Sequence, residues 1–210
     1  WKRPVIGMTN PPYSLLNEAG KKNKSDKQAG KSELDFVYSM LSYLETGGIG
    51  IAIVPQSCAH SKSDLQMRKN ILENNTLLAV MTMPNKLFQD SKVGTATCVM
   101  VFRAGIPHSK SSKNVFLARW TEDGFITVPH VGRYDKEGTW LAVKQEWCNQ
   151  LKGLADRDNT CYIRRVTEAD EPWLAELYVE TDYTKLTAKD FEAQLKKYAL
   201  FKYMQENGGD

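Results

Sequence analysis

The sequence lacks several features that would place the protein in particular classes. No apolar run approaches the roughly 20 residues of a membrane-spanning helix. The chain has no leader-like start, because Trp1-Lys-Arg-Pro passes directly into a short apolar segment. Its four cysteines form no CxxC pair, and its three histidines are equally scattered. We therefore expect a cytoplasmic protein with buried, reduced thiols, no metal site and no membrane partner.

Neither sign of charge dominates, since 28 basic and 25 acidic residues leave a formal net charge of +3. The 210 residues are enough for one large domain or for a domain plus a small appendage, and the 41% of apolar residues can build its core. The one local excess is KKNKSDKQAGK, residues 21–31, with five lysines and one acid. Such a run is usually a solvated loop, but its place beside an aromatic-bearing corner favours contact with nucleic acid. The candidate substrate-binding lysines are Lys21, Lys22, Lys24 and Lys27.

A glycine-rich loop between a strand and a helix is also missing. Gly47, Gly48 and Gly50 follow a predicted helix and open a predicted strand. A dinucleotide-binding loop has the reverse order, with the strand first and the helix second. We therefore interpret this cluster as the end of a helix.

The first half of the chain alternates between strand and helix patterns. Ser32 is positioned to cap a helix, and the apolar residues that follow it recur at helical spacing. Alternation of this kind predicts half of a doubly wound α/β sheet. The ten residues between the last two strands leave no room for a crossover helix, so the last strand should be antiparallel. The predicted elements are a short buried strand at 4–9, a helix at 32–45, a strand at 49–55, a helix at 63–74 capped by Ser63, and strands at 76–84 and 95–103.

The second half gives a weaker pattern. Residues 114–129 predict a β-hairpin with Asp123-Gly124 in its turn. Residues 135–173 have no clear periodicity. A C-terminal helix should begin after Thr187, with Asp190 completing a capping box. Its predicted buried face consists of Phe191, Leu195 and Tyr198.

The most informative stretch is VIGMTNPPYS, residues 5–14. Its two prolines remove two backbone donors and fix two φ angles. Asn10, which precedes them, is pushed toward an extended conformation. The result is a stiff corner directly after a strand, which holds Asn10 and Tyr13 in a fixed relation.

Asn10-Pro11-Pro12-Tyr13 resembles the catalytic motif of S-adenosylmethionine-dependent amino-methyltransferases, which include the N6-adenine DNA methyltransferases. Residues 47–55 are similar to the GGxGxxIxP-like strand of that family, and residues 84–88 to its P-x-x-L-F loop. An antiparallel strand with T-x-x-x-V follows, at 95–103. Over residues 4–104 the order and spacing most resemble the modification subunits of type I restriction–modification systems.

The resemblance implies a site for methylating an exocyclic amine, with Asn10, Pro11, Pro12 and Tyr13 as its catalytic residues. The amine is a poor nucleophile because its lone pair is delocalised into the ring. The Asn10 side-chain oxygen and the Pro11 carbonyl would accept its two hydrogens and orient it. The target base must leave the duplex, and Tyr13 and Phe88 would stack on it.

The resemblance also implies a division of the chain. Residues 1–105 would be the C-terminal half of a Rossmann-like, S-adenosylmethionine-dependent methyltransferase sheet, which is α/β and mixed. Residues 106–210 would form a smaller α+β region of a hairpin and helices that recognises the target or contacts a subunit.

In the family the cofactor loop precedes the corner, and only nine residues precede Asn10 here. We therefore expect the S-adenosylmethionine site mostly outside this chain, which would be inactive alone. Its expected partners are DNA, the missing N-terminal half of the same enzyme, and a specificity or restriction subunit.

Two other classes of function remain open from the sequence. Similar motifs occur in amino-methyltransferases that act on protein glutamine or RNA guanine. The P-x-x-L-F loop and the long C-terminal region favour DNA adenine instead. A non-catalytic DNA-binding or assembly module is the other alternative, and cofactor binding and DNA methylation by the full-length chain would separate the classes.

Overall fold

A computed structural model describes residues 2–13, 32–84, 87, 95–111, 114–128, 131–157, 159–164, 169, 171, 173–180 and 187–207. The strands are β1 (Ile6–Thr9), β2 (Ile49–Pro55), β3 (Thr76–Thr82), β4 (Thr97–Arg103), β5 (Val115–Arg119), β6 (Ile126–Val128), β7 (Gly132–Tyr134) and β8 (Cys161–Arg164). The helices are α1 (Glu33–Tyr43), α2 (Leu65–Asn74), α3 (Trp140–Gly153) and α4 (Ala188–Asn207), with 3-10 turns at Gln56–Ala59, His108–Lys110 and Ala175–Tyr178. No helix in these ranges is long and apolar enough to cross a membrane.

The capping pattern of the sequence predicted the start of α1 correctly. The Ser32 hydroxyl accepts a hydrogen bond from the Leu34 amide at 3.2 Å, and the Asp35 carboxylate accepts one from the Ser32 amide at 2.6 Å. This reciprocal pair satisfies two amides that the helix itself leaves without acceptors. The predicted apolar face is buried as expected, at Leu34, Val37, Leu41 and Leu44.

The predicted cap of α2 is wrong. The helix begins at Leu65, its preceding residue is Asp64, and Ser63 is exposed. The Ser61 hydroxyl donates to the Asp64 carboxylate at 2.7 Å, so these two residues close the turn before the helix. Several serines occur in this stretch, and spacing alone did not distinguish which one enters the turn.

Among the described residues, the main sheet has six strands in the order β1-β2-β4-β3-β5-β8. β1 is parallel to β2, whereas β4 is antiparallel to both β2 and β3. The prediction that only the last strand of the first 104 residues is antiparallel is therefore confirmed. β5 pairs parallel to β3, and β8 pairs antiparallel to β5. We call the end of the sheet where β1, β2, β3 and β5 finish its carboxyl end.

β1 is an edge strand, and the prediction that it is buried is wrong. Val5, Ile6 and Met8 are 55%, 64% and 73% exposed. The expectation of an exposed apolar edge at residues 5–9 is confirmed by the same values. Within the described residues β1 pairs with β2 on one side only, so its other side presents backbone donors and acceptors.

Helices cover both faces of the sheet. α1 and α2 pack on one face, where the large buried side chains include Phe102 and Trp173. α3 packs on the other face, where Trp147 stacks on Trp120 with 4.9 Å between ring centroids. The Trp120 indole N–H also donates to the Gln150 side chain at 2.8 Å, which satisfies a buried polar atom.

The hairpin predicted at residues 114–129 does not form. β5 pairs with β3 and β8, and β6 pairs with β7 in a separate two-stranded sheet. β5 is buried on both faces at Phe116 and Leu117, as expected of an inner strand of the main sheet that is covered on both faces. Asp123 instead accepts a hydrogen bond from the Phe125 amide at 3.0 Å and pairs with Arg133, which holds the turn before β6.

The chain consists of two compact units, Trp1–Val179 and Glu180–Asp210. A boundary after residue 105 was expected, but the sheet continues past it through β5 and β8. In the second unit, the predicted capping box at Thr187 and Asp190 is present, with the Thr187 amide donating to the Asp190 carboxylate at 2.9 Å. The predicted buried face of α4 is wrong, because its apolar residues are 53–67% exposed: Phe191, Leu195 and Tyr198.

Candidate functional site

The packing of α1 on the sheet brings its N-terminus to the carboxyl end. A Cβ placed at Gly48 would lie 3.4 Å from the Leu44 Cβ, and one at Gly50 would overlap the Leu41 side chain. From Leu44 to Leu41, toward the N-terminus of α1, the contacts of the helix therefore move from the start of β2 toward its end. The first turn of α1, with Glu33, lies at the carboxyl end of the sheet, where the corner after β1 is also found.

The corner alternates between inward and outward residues. Asn10 and Pro12 are exposed, whereas Pro11 is buried and Tyr13 is half-buried. Thr9 pairs with Ala52 at the end of β1, and Ala52 pairs with Met100 across β4. β1 thus ends level with the middle of β2, and the corner continues from there toward the carboxyl end of the sheet. It leaves the Asn10 side chain open to solvent while Tyr13 turns back toward the protein.

The Tyr13 hydroxyl lies in a buried, thiol-rich environment. Burial, with smaller contributions from the neighbouring Cys98, Cys58 and Glu33, raises the pKa of this hydroxyl from its ordinary value of 10.0 to about 12. Cys98 in β4 is fully buried, and Cys58 in the turn after β2 is 1% exposed. Burial also raises the pKa of both thiols, so both remain neutral near pH 7.

Glu33 is unusual because a glutamate is only rarely as buried as this one, at 8% exposure. It occupies the first turn of α1, where the helix dipole favours a negative charge. Its carboxylate is among the charges that raise the pKa of Cys58 and of Tyr13. It therefore faces the interior beside the candidate catalytic residues.

A second carboxylate approaches the carboxyl end from the 3-10 turn at Ala175–Tyr178. The Thr82 hydroxyl at the end of β3 donates to Glu176 Oε2 at 3.0 Å. The Glu176 charge also raises the pKa of Cys98. Glu176 is thus a second, half-buried carboxylate near Cys98, besides Glu33 in the first turn of α1.

The sequence predicted some of these residues and missed others. The structure describes the corner, Asn10 to Tyr13, and places it at the carboxyl end of the sheet. Phe88 and the predicted lysines lie outside the described residues, so their roles stay predictions: Lys21, Lys22, Lys24 and Lys27. Glu33 and Glu176 were not identified, because only the fold brings residues so distant in sequence to the corner.

A cavity of about 340 Å³ lies at the opposite end of the sheet. It is lined by residues near the start of β1 and the end of β4, including Arg3, Thr46 and Gly105. The Arg3 guanidinium donates to the Ser42 and Leu44 carbonyls at 3.4 Å each, where α1 ends. This cavity is separated from the corner by the length of the strands and does not form part of the site.

The helix N-termini in the described residues do not fit an anionic cofactor group. Carboxylates accept hydrogen bonds from amides at the N-termini of three of these helices: Asp35 in α1, Asp135 in α3 and Asp190 in α4. Asp64, which precedes α2, accepts a hydrogen bond from the Ser61 hydroxyl instead. Hydrogen bonds from the Trp140 and Thr139 amides keep the pKa of Asp135 below its ordinary value. Such carboxylates take the place that a carboxylate or phosphate of a ligand would occupy. Within the described ranges, no glycine-rich turn leads from a main-sheet strand into a helix.

A family model described as N-6 DNA Methylase matches residues 4–125. This range begins just before β1, contains the corner and extends past β5.

Among curated proteins, the chain is 30% identical over 204 residues to "Type II restriction enzyme and methyltransferase RM.BcgI" of Heyndrickxia coagulans. The match covers 96% of this chain and 30% of that protein, so the chain spans about a third of the relative's length.

Solved structures with the same fold include a modification subunit of a putative type I restriction enzyme from Vibrio vulnificus YJ016. It is 18% identical with a TM-score of 0.54, over 78% of this chain and 34% of that one. A chain from a study of type I R-M system assembly is 16% identical with a TM-score of 0.55. That match covers 98% of this chain and 44% of the other. At such identities the matches establish the fold.

Proposed function

This chain belongs to the N-6 DNA methylase family, and from that membership we propose that the complete protein methylates the N6 amine of adenine in DNA. The methyl donor would be S-adenosylmethionine, and the enzyme would serve a restriction–modification system. The single observation that carries the proposal is the corner at Asn10 to Tyr13, which lies inside the family match and at the carboxyl end of the sheet. Ligands of open α/β sheets bind at that end.

The exposed Asn10 side chain suits a group that must meet a substrate. Its amide oxygen would accept one hydrogen of the adenine amine, and the Pro11 carbonyl would accept the other. Holding both hydrogens moves the nitrogen toward tetrahedral geometry and frees its lone pair for attack. Because the two prolines fix the corner, these acceptors need little reorganisation during the reaction.

Tyr13 and Phe88 would hold the extruded base. A base stacked on an aromatic ring gains on the order of 1–3 kcal/mol, which offsets part of the cost of leaving the duplex. Lys21, Lys22, Lys24 and Lys27 would contact phosphates without sequence preference, so binding should weaken as salt rises.

S-adenosylmethionine supplies an electrophilic methyl group when bound. The described residues include no glycine-rich loop of the kind expected to hold it, and carboxylates already accept amide hydrogen bonds at the N-termini of α1, α3 and α4. We propose that the rest of the complete protein contributes that site and pairs with the exposed edge of β1. The exposure of Ile6 and Met8 supports this assignment.

We also propose that the complete protein works with a specificity or restriction subunit. Residues 106–210 would provide target recognition or subunit contact. The exposed apolar residues of α4 support a contact function for the second unit.

The proposal is tested by incubating the complete protein with duplex DNA and S-adenosylmethionine and measuring N6-methyladenine by mass spectrometry. We expect methylation by the unmodified protein and a loss of about 100-fold or more in Asn10→Ala, the effect typical of removing one charge-stabilising acceptor or donor. Asn74→Ala is the matched control, because Asn74 is an exposed asparagine at the end of α2. Methylated cytosine, RNA or protein glutamine in place of adenine would contradict the proposal.

A further inference from the structure

β1 presents unpaired backbone groups at the open edge of the main sheet. The Ile49 amide donates to the Val5 carbonyl at 2.8 Å, and Ile6 pairs with Ile49 in parallel register. Successive residues of a strand direct their backbone groups to opposite neighbours, so Val5 and every second residue after it bond to β2. The amides and carbonyls of Ile6 and Met8 therefore point away from β2, and no strand among the described residues pairs with them.

The side chains of the same two residues are exposed on one face of the sheet. A Cβ placed at Gly7 would lie 3.0 Å from Leu44 Cδ2 and 3.1 Å from Met40 Sδ, so Gly7 faces α1. Because successive residues of a strand alternate between faces, Ile6 and Met8 lie on the face opposite α1. Both are exposed there, so β1 is open at its edge and on this face.

Burial on the face opposite α1 falls in steps across the sheet. Phe116 in β5 and Met81 in β3 are buried in the cluster that packs against Trp147 of α3. Ile51 in β2 is half-buried, and Met8, its register partner in β1, is exposed. Among the described residues, α3 thus covers only one half of this face. We call the other half the open face: Ile6, Met8, Ile49, Ile51 and Ile53.

The far edge of the sheet is closed by the chain itself. The Arg157 and Cys161 backbones exchange two hydrogen bonds, of 2.8 and 3.1 Å, and the Ile163 amide donates to the Asp156 carboxylate at 2.6 Å. These contacts use the amides of β8 that β5 leaves unpaired, which protects an edge strand from further pairing. The described sheet can therefore extend at β1 but not at β8.

We propose that a strand–helix unit from the rest of the complete protein covers both open surfaces together, with its strand paired to β1 and its helix packed on the open face. This inference rests on the proposed function, in which the rest of the protein pairs with β1, and it adds the second surface and the element that covers it. The match to the Heyndrickxia coagulans protein covers 30% of that protein, which leaves ample chain outside the matched part for such a unit.

A helix with an apolar stripe is the element that fits the open face. The remainder of both faces is covered by helices, α1 and α2 on one and α3 on the other. The open face consists of aliphatic side chains and offers no charge to a polar partner. A contiguous apolar surface of this kind marks a contact site, and helices with an apolar stripe are what α/β sheets pack against.

A second copy of the chain would not satisfy both surfaces. Two copies paired antiparallel through β1 would be related by a two-fold axis perpendicular to the sheet. Their open faces would then lie side by side on the same face of one continuous sheet, and both would stay exposed. A unit that carries a strand and a helix covers the edge and the face together.

The test measures how accessible residue 8 is in the complete protein. Met8→Cys and Leu141→Cys are made in a Cys148→Ser background, because Cys148 is exposed, and their reaction with a charged maleimide is followed by mass spectrometry of peptides. Leu141 on α3 is the matched control, since Met8 and Leu141 are 73% and 69% exposed in this chain. Met8→Cys should react at least about 100-fold more slowly than Leu141→Cys, because a covered thiol reacts only when its cover opens. Equal rates would overturn the inference.

A second measurement identifies the occupant and needs no substitution. Photo-methionine, a diazirine analogue, is incorporated into the complete protein, and crosslinks from residue 8 are mapped in a mixture of isotope-labelled and unlabelled protein. We expect links within one polypeptide to a segment outside these 210 residues, with the Ile6 and Met8 amides protected from hydrogen exchange. Links between two copies, links to residues 14–31 or 85–94, or unprotected amides would overturn the inference. Neither measurement involves methylation, so a protein that methylates no adenine would refute the proposed function alone.

Discussion

Arg68 offers the sharpest test of how the structure supports the carboxyl end of the sheet. It is 3% exposed, and its guanidinium donates to the Ala169, Cys58 and Ser61 carbonyls at 2.9, 3.1 and 2.9 Å. It also lies over the Trp173 ring, 5.7 Å from its centroid. One side chain thus joins α2, the turn that carries Cys58 and the segment before the last 3-10 turn.

Arg68→Met keeps the apolar contact with Trp173 but removes every donor. Each buried carbonyl that loses its donor costs about 1–3 kcal/mol, and two of the three are buried. We expect the free energy of unfolding to fall by about 3–5 kcal/mol, a large share of the roughly 5–15 kcal/mol typical of a domain. For a chain of this size that corresponds to a fall in Tm of about 10 °C.

The measurement is urea unfolding of the 210-residue chain, followed by circular dichroism, with a thermal melt alongside. Lys69→Met is the matched control, because Lys69 is the exposed neighbour on the same helix, and its free energy of unfolding should change by less than about 0.5 kcal/mol. Arg68→Lys should fall between the two, since one ammonium cannot serve three separated carbonyls. A loss below about 1 kcal/mol in Arg68→Met would refute the reasoning.

Three further predictions concern the helix–sheet contact, alkaline stability and the cofactor. Gly50→Ala should lower the free energy of unfolding by about 1–3 kcal/mol, because its Cβ would overlap Leu41. Gly153→Ala is the control and should not lower it, because there is open space around this position in α3. Equal effects of the two substitutions in urea unfolding would contradict this. The pKa of Tyr13 is raised from 10.0 to about 12, so its neutral form stabilises the fold below pH 10, and this contribution is lost as the pH rises toward 12. Between pH 10 and pH 12, the free energy of unfolding of Tyr13→Phe should therefore fall less steeply than that of the unmodified protein. Equal slopes in pH-dependent unfolding would be inconsistent with a buried hydroxyl. The 210-residue chain should bind S-adenosylmethionine only very weakly in calorimetric titration, and tight one-to-one binding would show that a complete cofactor site is present in these residues.

Much of the first half could be predicted from the sequence because its signals are local. The capping residues of α1 are adjacent in the chain, and the run of apolar residues in β2 reflects burial on both faces. The direction of β4 followed from the shortness of the preceding link. Each of these features depends on spacing within about ten residues.

The failures have a different origin. β5 and β6 looked like one hairpin because Asp123-Gly124 is a typical turn, but the pairing of β5 is decided by β3 and β8, which are distant in sequence. The apolar stripe of α4 predicted burial, whereas amphipathic spacing does not specify what covers a helix. β1 looked buried from its composition, although its position at the sheet edge leaves Ile6 and Met8 exposed.

The same distinction between local patterns and contacts made by the fold applies to the candidate site. The corner was found because two prolines and an asparagine form a distinctive local pattern. Glu33 and Glu176 could not be found, because neither belongs to a pattern that points to the corner. Their relevance comes from α1 lying over β2 and from the contact of Glu176 with Thr82.

The most direct test of the account is the amount of N6-methyladenine produced in duplex DNA by the complete protein and by its Asn10→Ala variant, with both proteins shown to have the same Tm. Because Asn10 is exposed, its loss should leave the fold intact while it removes an acceptor used on the amine. We expect methylation of adenine by the unmodified protein and a fall of about 100-fold or more in the variant. Equal methylation by the two proteins would contradict it.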